Sequence, residues 1–177
     1  RLAMTQFTAV FNSAPLSITE QNIQARIRGR LLMEYSNQTG ALVLSTGNKS
    51  ELSVGYTTLY GDMTGGFNLI GDLYKTDVYQ LAHYFNTMHP QTPIPANVFA
   101  KAPSAELAPN QKDSDSLPDY AILDPLLKLY IEGHLLSEEE RIACRAVVTG
   151  IPQALIAKIH SMVDKAEFKR RQSAPIV

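Results

Sequence analysis

The chain has 177 residues, 45% hydrophobic and 19% charged, with a formal net charge of −1. These values are typical of one soluble globular domain with its own core, and the near-zero charge favours neither nucleic acid nor anionic lipid as a partner. Its apolar runs are shorter than the roughly 18 residues of a membrane span. The single cysteine, Cys144, excludes an intrachain disulfide and favours the cytoplasm.

The first part of the sequence predicts a helix, a strand and a second helix. Residues 1–11 have the mixed pattern of a helix end. Ser17 and Glu20 have the spacing of a capping box and predict a helix start. Apolar residues then recur at every fourth position, at Ile23, Ile27, Leu31 and Tyr35. The apolar run 41–45 predicts a strand buried on both faces of a parallel sheet, and this order of elements indicates α/β architecture.

The rest of the chain is mainly helical around one long loop. The predicted elements are a short helix at 51–58, a Gly-rich loop at 59–68, a short strand at 69–70, and helices at 76–86, at 121–132, from 137 onwards and at 149–166. Residues 89–120 contain six prolines and little periodicity. Loops of that length in a compact domain are commonly functional lids or disordered segments.

Polar residues directly follow the predicted strand 41–45. Thr46 and Asn48 lie at its carboxyl end, where open α/β sheets bind ligands. The next helix would direct free N–H groups at the same place, which favours phosphate. Glu51 could hold Mg²⁺ there, or it could simply close a capping box with Asn48. The spacing leaves both interpretations open.

Four further residues carry candidate chemistry. Asn22 and Arg26 are four residues apart on one helix face, where they could bind a carboxylate, phosphate or ribose or could form a solvated surface. Asp62 lies in the Gly-rich loop, whose backbone can approach a ligand closely or form a plain turn. Lys75 lies near a predicted helix start, where a positive charge is unfavourable to the helix dipole and therefore hints at an anionic partner.

Several stretches taken together resemble NAD synthetases of the glutamine-dependent type. They are Ile18–Gly29, Leu44–Phe67, Lys101–Tyr120 and Phe168–Gln172. The resemblance covers nearly the whole chain and implies a Rossmann-like adenine-nucleotide alpha-hydrolase fold, a parallel sheet flanked by helices. It also implies a reaction in which ATP adenylates the nicotinate carboxylate of deamido-NAD, pyrophosphate leaves, and ammonia, free or released from glutamine, attacks to give NAD and AMP.

The resemblance also implies residue roles. It assigns Thr46, Lys75 and Ser104 to ATP, Asn22, Arg26, Glu51 and Lys169 to deamido-NAD, Glu51 also to Mg²⁺, and Asp62 and Lys75 to catalysis. The proline-rich segment 89–120 becomes a lid that orders on substrate binding. Because family members bind deamido-NAD at a subunit interface, a homodimer is expected.

The sequence departs from the family pattern at its beginning. The pyrophosphatase motif S-G-G-x-D-S is not found, since Thr64–Asn68 lacks its serine and has Asn68 at the aspartate position. The chain therefore resembles the C-terminal part of a synthetase domain, incomplete at its N-terminal side, with a glutaminase domain expected in the parent protein. We expect these 177 residues alone to be inactive. The alternatives are a non-catalytic module that binds deamido-NAD or dimerises, and a related ATP pyrophosphatase such as a GMP synthetase.

Overall fold

The computed structural model describes residues 1–14, 17–91 and 93–176. In these ranges the helices are α1 Leu2–Phe11, α2 Ser17–Thr39, α3 Lys49–Val54, α4 Lys75–Met88, α5 Ala96–Ala100, α6 Tyr120–Glu132, α7 Glu138–Val148, α8 Gln153–Lys165 and α9 Glu167–Arg170. The strands are β1 Leu44–Ser45 and β2 Phe67–Asn68. No helix in the described ranges combines the length and apolarity needed to cross a membrane.

The two strands form a small parallel sheet. Leu44 pairs with Phe67 and Ser45 pairs with Asn68, and α3 and α2 flank β1 along the chain. The helix-rich architecture with parallel pairing confirms the predicted Rossmann-like α/β fold. The predicted strand at 69–70 is wrong. The strand found here, β2, consists of Phe67–Asn68 and ends directly before residue 69.

Two contacts of Asn68 explain the position of β2. Its backbone N–H donates to the carbonyl of Pro175 at 2.9 Å, and its Nδ2 donates to the carbonyl of Gly47 at 2.9 Å. These long-range bonds fix the strand two residues earlier than the apolar pair 69–70. A strand across 41–45 is also wrong in extent and burial, since β1 begins at Leu44, which is 44% exposed.

The helical predictions are confirmed with shifted ends. The predicted helix 51–58 begins at Lys49 and ends at Val54, because Gly55 adopts φ 71° and stops it. The capping box at Ser137 is present, with Glu140 as its partner. Ser17 is wrong as a cap residue, since it is already the first residue of α2. The loop 89–120 contains α5 and a turn of 3₁₀ helix at Asp113–Asp115.

The core lies where α6 packs between α3, α4 and α8. Leu123, Leu127 and Ile159 are fully buried at its centre, and Val54 and Tyr74 pack against them. Burial of such side chains contributes about 1.5–3 kcal/mol each to folding. The core therefore anchors α3 and the beginning of α4, the two elements that follow the carboxyl end of β1 and the Gly-rich loop.

Helix α2 packs through small residues and leaves its apolar stripe exposed. Ala25 and Gly29 are its buried positions, and a Cβ on Gly29 would lie 2.7 Å from the carbonyl oxygen of Gly61. By contrast, Leu31 and Tyr35 are 58% and 65% exposed. The period of the stripe predicts the helix correctly but does not identify the face that packs on this chain.

Candidate functional site

A cavity of about 660 Å³ opens at the carboxyl end of β1. It is bounded by α2, the Gly-rich loop, the first turns of α3 and α4, and part of the loop 89–120. Seven of the eight site residues predicted from the sequence line it: Asn22, Thr46, Glu51, Asp62, Lys75, Ser104 and Lys169. The fold therefore brings together residues that are as far apart in the chain as α2 and α9.

Glu51 closes a capping box and also faces the cavity. Asn48 Oδ1 accepts from the N–H of Glu51 at 3.0 Å, and Glu51 Oε2 accepts from the N–H of Asn48 at 3.3 Å. The other oxygen, Oε1, accepts from Nζ of Lys75 at 2.8 Å. Glu51 therefore closes the cap with one carboxylate oxygen and holds Lys75 with the other.

Lys75 brings a positive charge into the cavity next to Glu51. It is the first residue of α4, and its Nζ lies between Glu51 and the ring of Tyr120, whose centroid is 5.5 Å away. Its side chain is 19% exposed, so its charge acts in a partly desolvated environment, where its attraction to an anion is stronger than in water. Lys75 can therefore attract a phosphate or a carboxylate.

Asp62 and Lys169 bring opposite charges to the other side of the cavity. Asp62 Oδ1 accepts from the N–H of Thr58 at 2.6 Å; burial raises the pKa of this carboxyl, and that hydrogen bond opposes the rise. Lys169 Nζ donates to the carbonyls of Gly55 and Thr57 at 2.7 and 2.6 Å. Burial lowers the pKa of Lys169, and the nearby charge of Asp62 opposes the fall. Burial thus disfavours the charged form of both groups.

Asn22 and Arg26 use their shared helix face to hold Thr58 and the first residue of the Gly-rich loop. Asn22 Oδ1 accepts from Oγ1 of Thr58 at 3.0 Å, and Nε of Arg26 donates to the carbonyl of Leu59 at 3.1 Å. Asn22 also lines the cavity, whereas Arg26 is exposed and does not line it. Arg28 lines the cavity instead.

Sequence reasoning missed Arg28 because it lies off the Asn22 face of the helix. The hydrogen bond and charge of Lys101 lower the pKa of Glu106 in the loop 89–120, and the charge of Arg28 adds a smaller effect in the same direction. An arginine on a helix surface carries no spacing signal for such a contact.

The loop 89–120 is docked on α2. Nε2 of Gln24 donates to the carbonyl of Leu107 at 3.2 Å, and Nε2 of Gln111 donates to Oε1 of Gln21 at 3.2 Å. These bonds hold Ser104 over the cavity, which it lines. The geometry suits a lid, and ordering on substrate binding stays a prediction.

Asp113 is a second residue that the sequence did not reveal. It is 4% exposed, lines the cavity, and its Oδ2 accepts from the hydroxyl of Tyr120 at 2.7 Å. Burial together with the charge of Asp113 raises the pKa of Tyr56 to about 12. The acid lies in the short D-S-D stretch of a proline-rich loop, and only the folded chain places it beside two tyrosines.

Cys144 is buried in α7 and belongs to the packing of the fold, as its apolar neighbours predict. In the described part of the chain, no group of three or more His, Cys, Asp or Glu residues is arranged to hold a metal ion by itself.

Comparison with known proteins identifies the family. The chain matches the family described as NAD synthase over residues 2–173. A relative from Acinetobacter baylyi, a glutamine-dependent NAD(+) synthetase, is 52% identical over 164 residues, covering 93% of this chain and 29% of that protein. The chain thus spans less than a third of the length of this relative.

Two solved structures resemble this chain in fold. The glutamine-dependent NAD+ synthetase from Acinetobacter baumannii, in complex with ADP, superposes with a TM-score of 0.54 at 44% identity, covering 97% of this chain and 29% of that one. The glutamine-dependent NAD(+) synthetase from Cytophaga hutchinsonii shares the fold, with a TM-score of 0.74 at 23% identity, covering 99% of this chain and 28% of that one. The match to the family model over residues 2–173 establishes that the chain belongs to the NAD synthase family.

Proposed function

We propose that this chain supplies the deamido-NAD and ATP contacts of an NAD synthetase that amidates deamido-NAD at the expense of ATP. The observation that carries the proposal is the pair formed by Lys75 and Glu51 in a cavity that also contains Thr46, Asp62 and Lys169. Related proteins that carry the name glutamine-dependent NAD(+) synthetase support it. The nitrogen donor is then glutamine, through a glutaminase domain in the parent protein, or free ammonia.

The cavity residues suit the charges of this reaction. A carboxylate is a poor electrophile, and its adenylation creates a leaving group that ammonia can displace. Lys75, with Thr46 and Ser104, would neutralise and orient the phosphates of ATP. Asn22 and Lys169 would hold deamido-NAD inside the cavity, so that both substrates are oriented in one partly enclosed space. Arg26, which is exposed and outside the lining, would contact the part of deamido-NAD that leaves the cavity.

Asp62 suits the amidation step. As the nitrogen of ammonia bonds to the activated carboxyl carbon, the bond to AMP breaks and the nitrogen must lose a proton. Asp62, with its pKa raised by burial, can accept that proton more readily than an ordinary aspartate. We therefore assign Asp62 the role of base.

Mg²⁺ is expected to accompany ATP in this reaction. The donor set fits, because Mg²⁺ is commonly held by one or two carboxylates together with substrate phosphates, and Glu51 offers a carboxylate in the cavity. The ion would neutralise phosphate charge as pyrophosphate leaves. Because Glu51 Oε1 already accepts from Lys75, we propose that Lys75 then turns towards phosphate.

Exposed apolar residues on α2 support a homodimer. Ile27 and Leu31 are 44% and 58% exposed, next to the helix face that carries Asn22. A partner covering this stripe would also enclose the deamido-NAD end of the cavity.

The buried Cys144 is compatible with the reducing cytoplasm, which we propose as the site of the reaction.

The decisive experiment uses two proteins, the 177-residue chain and a chimera in which it replaces the matching segment of the Acinetobacter baylyi synthetase. We expect NAD formation from deamido-NAD, ATP, Mg²⁺ and ammonia by the chimera and none by the chain alone. Lys75→Met in the chimera should abolish activity. Lys128→Met is the control, because Lys128 is an ion-paired lysine outside the cavity lining, and it should leave activity unchanged.

Other outcomes would favour the alternatives. An inactive chimera, together with binding of deamido-NAD by the isolated chain, would favour a non-catalytic module. Preference for XMP over deamido-NAD as the bound ligand would favour a GMP synthetase. NAD formation by the isolated chain would show that the missing pyrophosphatase motif is dispensable.

A further inference from the structure

Asp124 is a buried carboxylate outside the cavity lining. It lies in the middle of α6 and is 1% exposed. Both of its oxygens accept hydrogen bonds, Oδ1 from Oγ of Ser50 at 2.6 Å and Oδ2 from the N–H of Thr76 at 2.8 Å. Burial raises the pKa of this carboxyl, and the bonds from Ser50 and Thr76 oppose the rise. Burying a carboxylate costs free energy of folding. The hydrogen bonds from Ser50 and Thr76 therefore indicate what Asp124 contributes.

The same bonds satisfy the beginning of α4 from outside that helix. Oγ of Ser50, which is fully buried, accepts from the N–H of Lys75 at 2.8 Å. The first two N–H groups of α4, on Lys75 and Thr76, are thus bound by Ser50 and Asp124. Tyr74, at the cap position, makes no side-chain capping bond. Helix α4 therefore starts where α3 and α6 fix it.

Lys75 is consequently held at both ends. Its main chain is bound by Ser50, and its Nζ is bound by Glu51, the next residue of α3. A flexible four-carbon side chain delivers its charge to a defined point only if its backbone is fixed. The chain of contacts from Asp124 through Ser50 to Lys75 supplies that fixed point.

We propose that Asp124 and Ser50 are positioning residues, which fix the main chain of Lys75 at the start of α4 so that its ammonium group can pass from Glu51 to the phosphates of ATP. This inference rests on the proposed function. Neither side chain lines the cavity, so both act through Lys75 and through the relative placement of α3 and α4.

The kinetic test uses the chimera with Ser50→Ala, and Ser53→Ala as its matched control. Ser53 lies in the same helix and is 3% exposed, so its replacement removes a similarly buried hydroxyl without touching Lys75. We expect Ser50→Ala to lower kcat about 10- to 100-fold with little change in the KM of either substrate, because misplacement of a catalytic group acts mainly on the transition state. Ser50→Thr, which retains the hydroxyl, should recover activity, and Asp124→Asn should behave like Ser50→Ala.

A second measurement does not depend on activity. The 177-residue chain is acetylated under limiting reagent, and the labelling rate of Lys75 is compared with that of Lys128 by mass spectrometry. Ser50→Ala should raise the relative rate for Lys75 at least about threefold, because the amine spends less time on Glu51. Ser53→Ala should leave the ratio unchanged.

The two measurements separate the possible failures. A chimera without activity would overturn the proposed function, and the labelling ratio would still decide whether Ser50 holds Lys75. An unchanged ratio in Ser50→Ala, or equal losses of kcat in Ser50→Ala and Ser53→Ala, would overturn the positioning role.

Discussion

Gly55 and Ala166 approach each other so closely that a Cβ on Gly55 would lie 2.8 Å from the Cβ of Ala166. This contact joins the end of α3 to the junction of α8 and α9. It also places the carbonyl of Gly55 where Nζ of Lys169 donates to it. The position of Lys169 in the cavity therefore depends on a glycine that is distant in sequence.

The first prediction tests this contact by comparing Gly55→Ala with Gly40→Ala. Both glycines have φ +71°, but a Cβ at Gly40 would meet nothing within 4 Å. Gly40→Ala should therefore cost only the backbone strain, about 1 kcal/mol. Gly55→Ala should cost about 2–4 kcal/mol, because it must also displace Ala166. Urea unfolding followed by circular dichroism measures both, and equal losses would contradict the close packing.

The second prediction concerns the ion pair of Lys75 and Glu51. Lys75→Met leaves a carboxylate that is 17% exposed without its cation, and we expect the free energy of unfolding to fall by about 1–3 kcal/mol. Lys128→Met breaks a longer, more exposed pair with Asp77 and should cost about 0–1 kcal/mol. Denaturant titrations of the two variants compare these costs. A loss for Lys75→Met no larger than the control would show that the pair behaves as a surface ion pair.

The third prediction is a pH dependence at Asp62. Burial raises the pKa of this carboxyl above its ordinary value of 3.8, and this net direction already includes the attraction of Lys169. Such a group stabilises the fold fully below its unfolded pKa, and that contribution is lost as the pH rises through its folded pKa. Asp62→Asn, which cannot ionise, should therefore become more stable relative to the unchanged chain between about pH 4 and about pH 7.

Unfolding measurements at the two pH values test this sign. Glu20→Gln, which removes one exposed negative charge from α2, controls for the change in net charge. A stability difference for Asp62→Asn that stays constant or falls as the pH rises would refute the assignment of a raised pKa.

The fourth prediction concerns the docking of the loop 89–120 on α2. Gln24→Ala removes the bond to the carbonyl of Leu107 and should increase amide hydrogen exchange in residues 101–112, since local opening becomes less costly. Gln80→Ala, at an exposed position of α4, should leave that exchange unchanged. If Gln24→Ala also has no effect, the loop is held by other contacts.

Local features of this protein were accessible from the sequence. The capping boxes at Asn48 and Ser137 depend on residues three positions apart, and helix periods depend on neighbours within two turns. For this reason most of the helices are predicted, with errors at their ends, whereas the short helices α5 and α9 are missed. The motifs around Thr46 and Asp62 were also readable, because each lies within one continuous stretch.

The tertiary structure decided the relations between distant segments. It leaves the apolar stripe of α2 exposed and buries Ala25 and Gly29 of the same helix. Their small size allows the Gly-rich loop to pack closely against α2. It leaves Arg26 outside the cavity lining and includes Arg28 and Asp113.

The sequence by itself determined most of the helices, the capping boxes at Asn48 and Ser137, the resemblance to the family and the polar residues that follow β1. Only the tertiary structure decided which side chains share the cavity and that Asp124 supports Lys75. The physical reason is that hydrogen bonds such as that from Ser50 to Asp124 join residues 74 positions apart, and no local pattern records them.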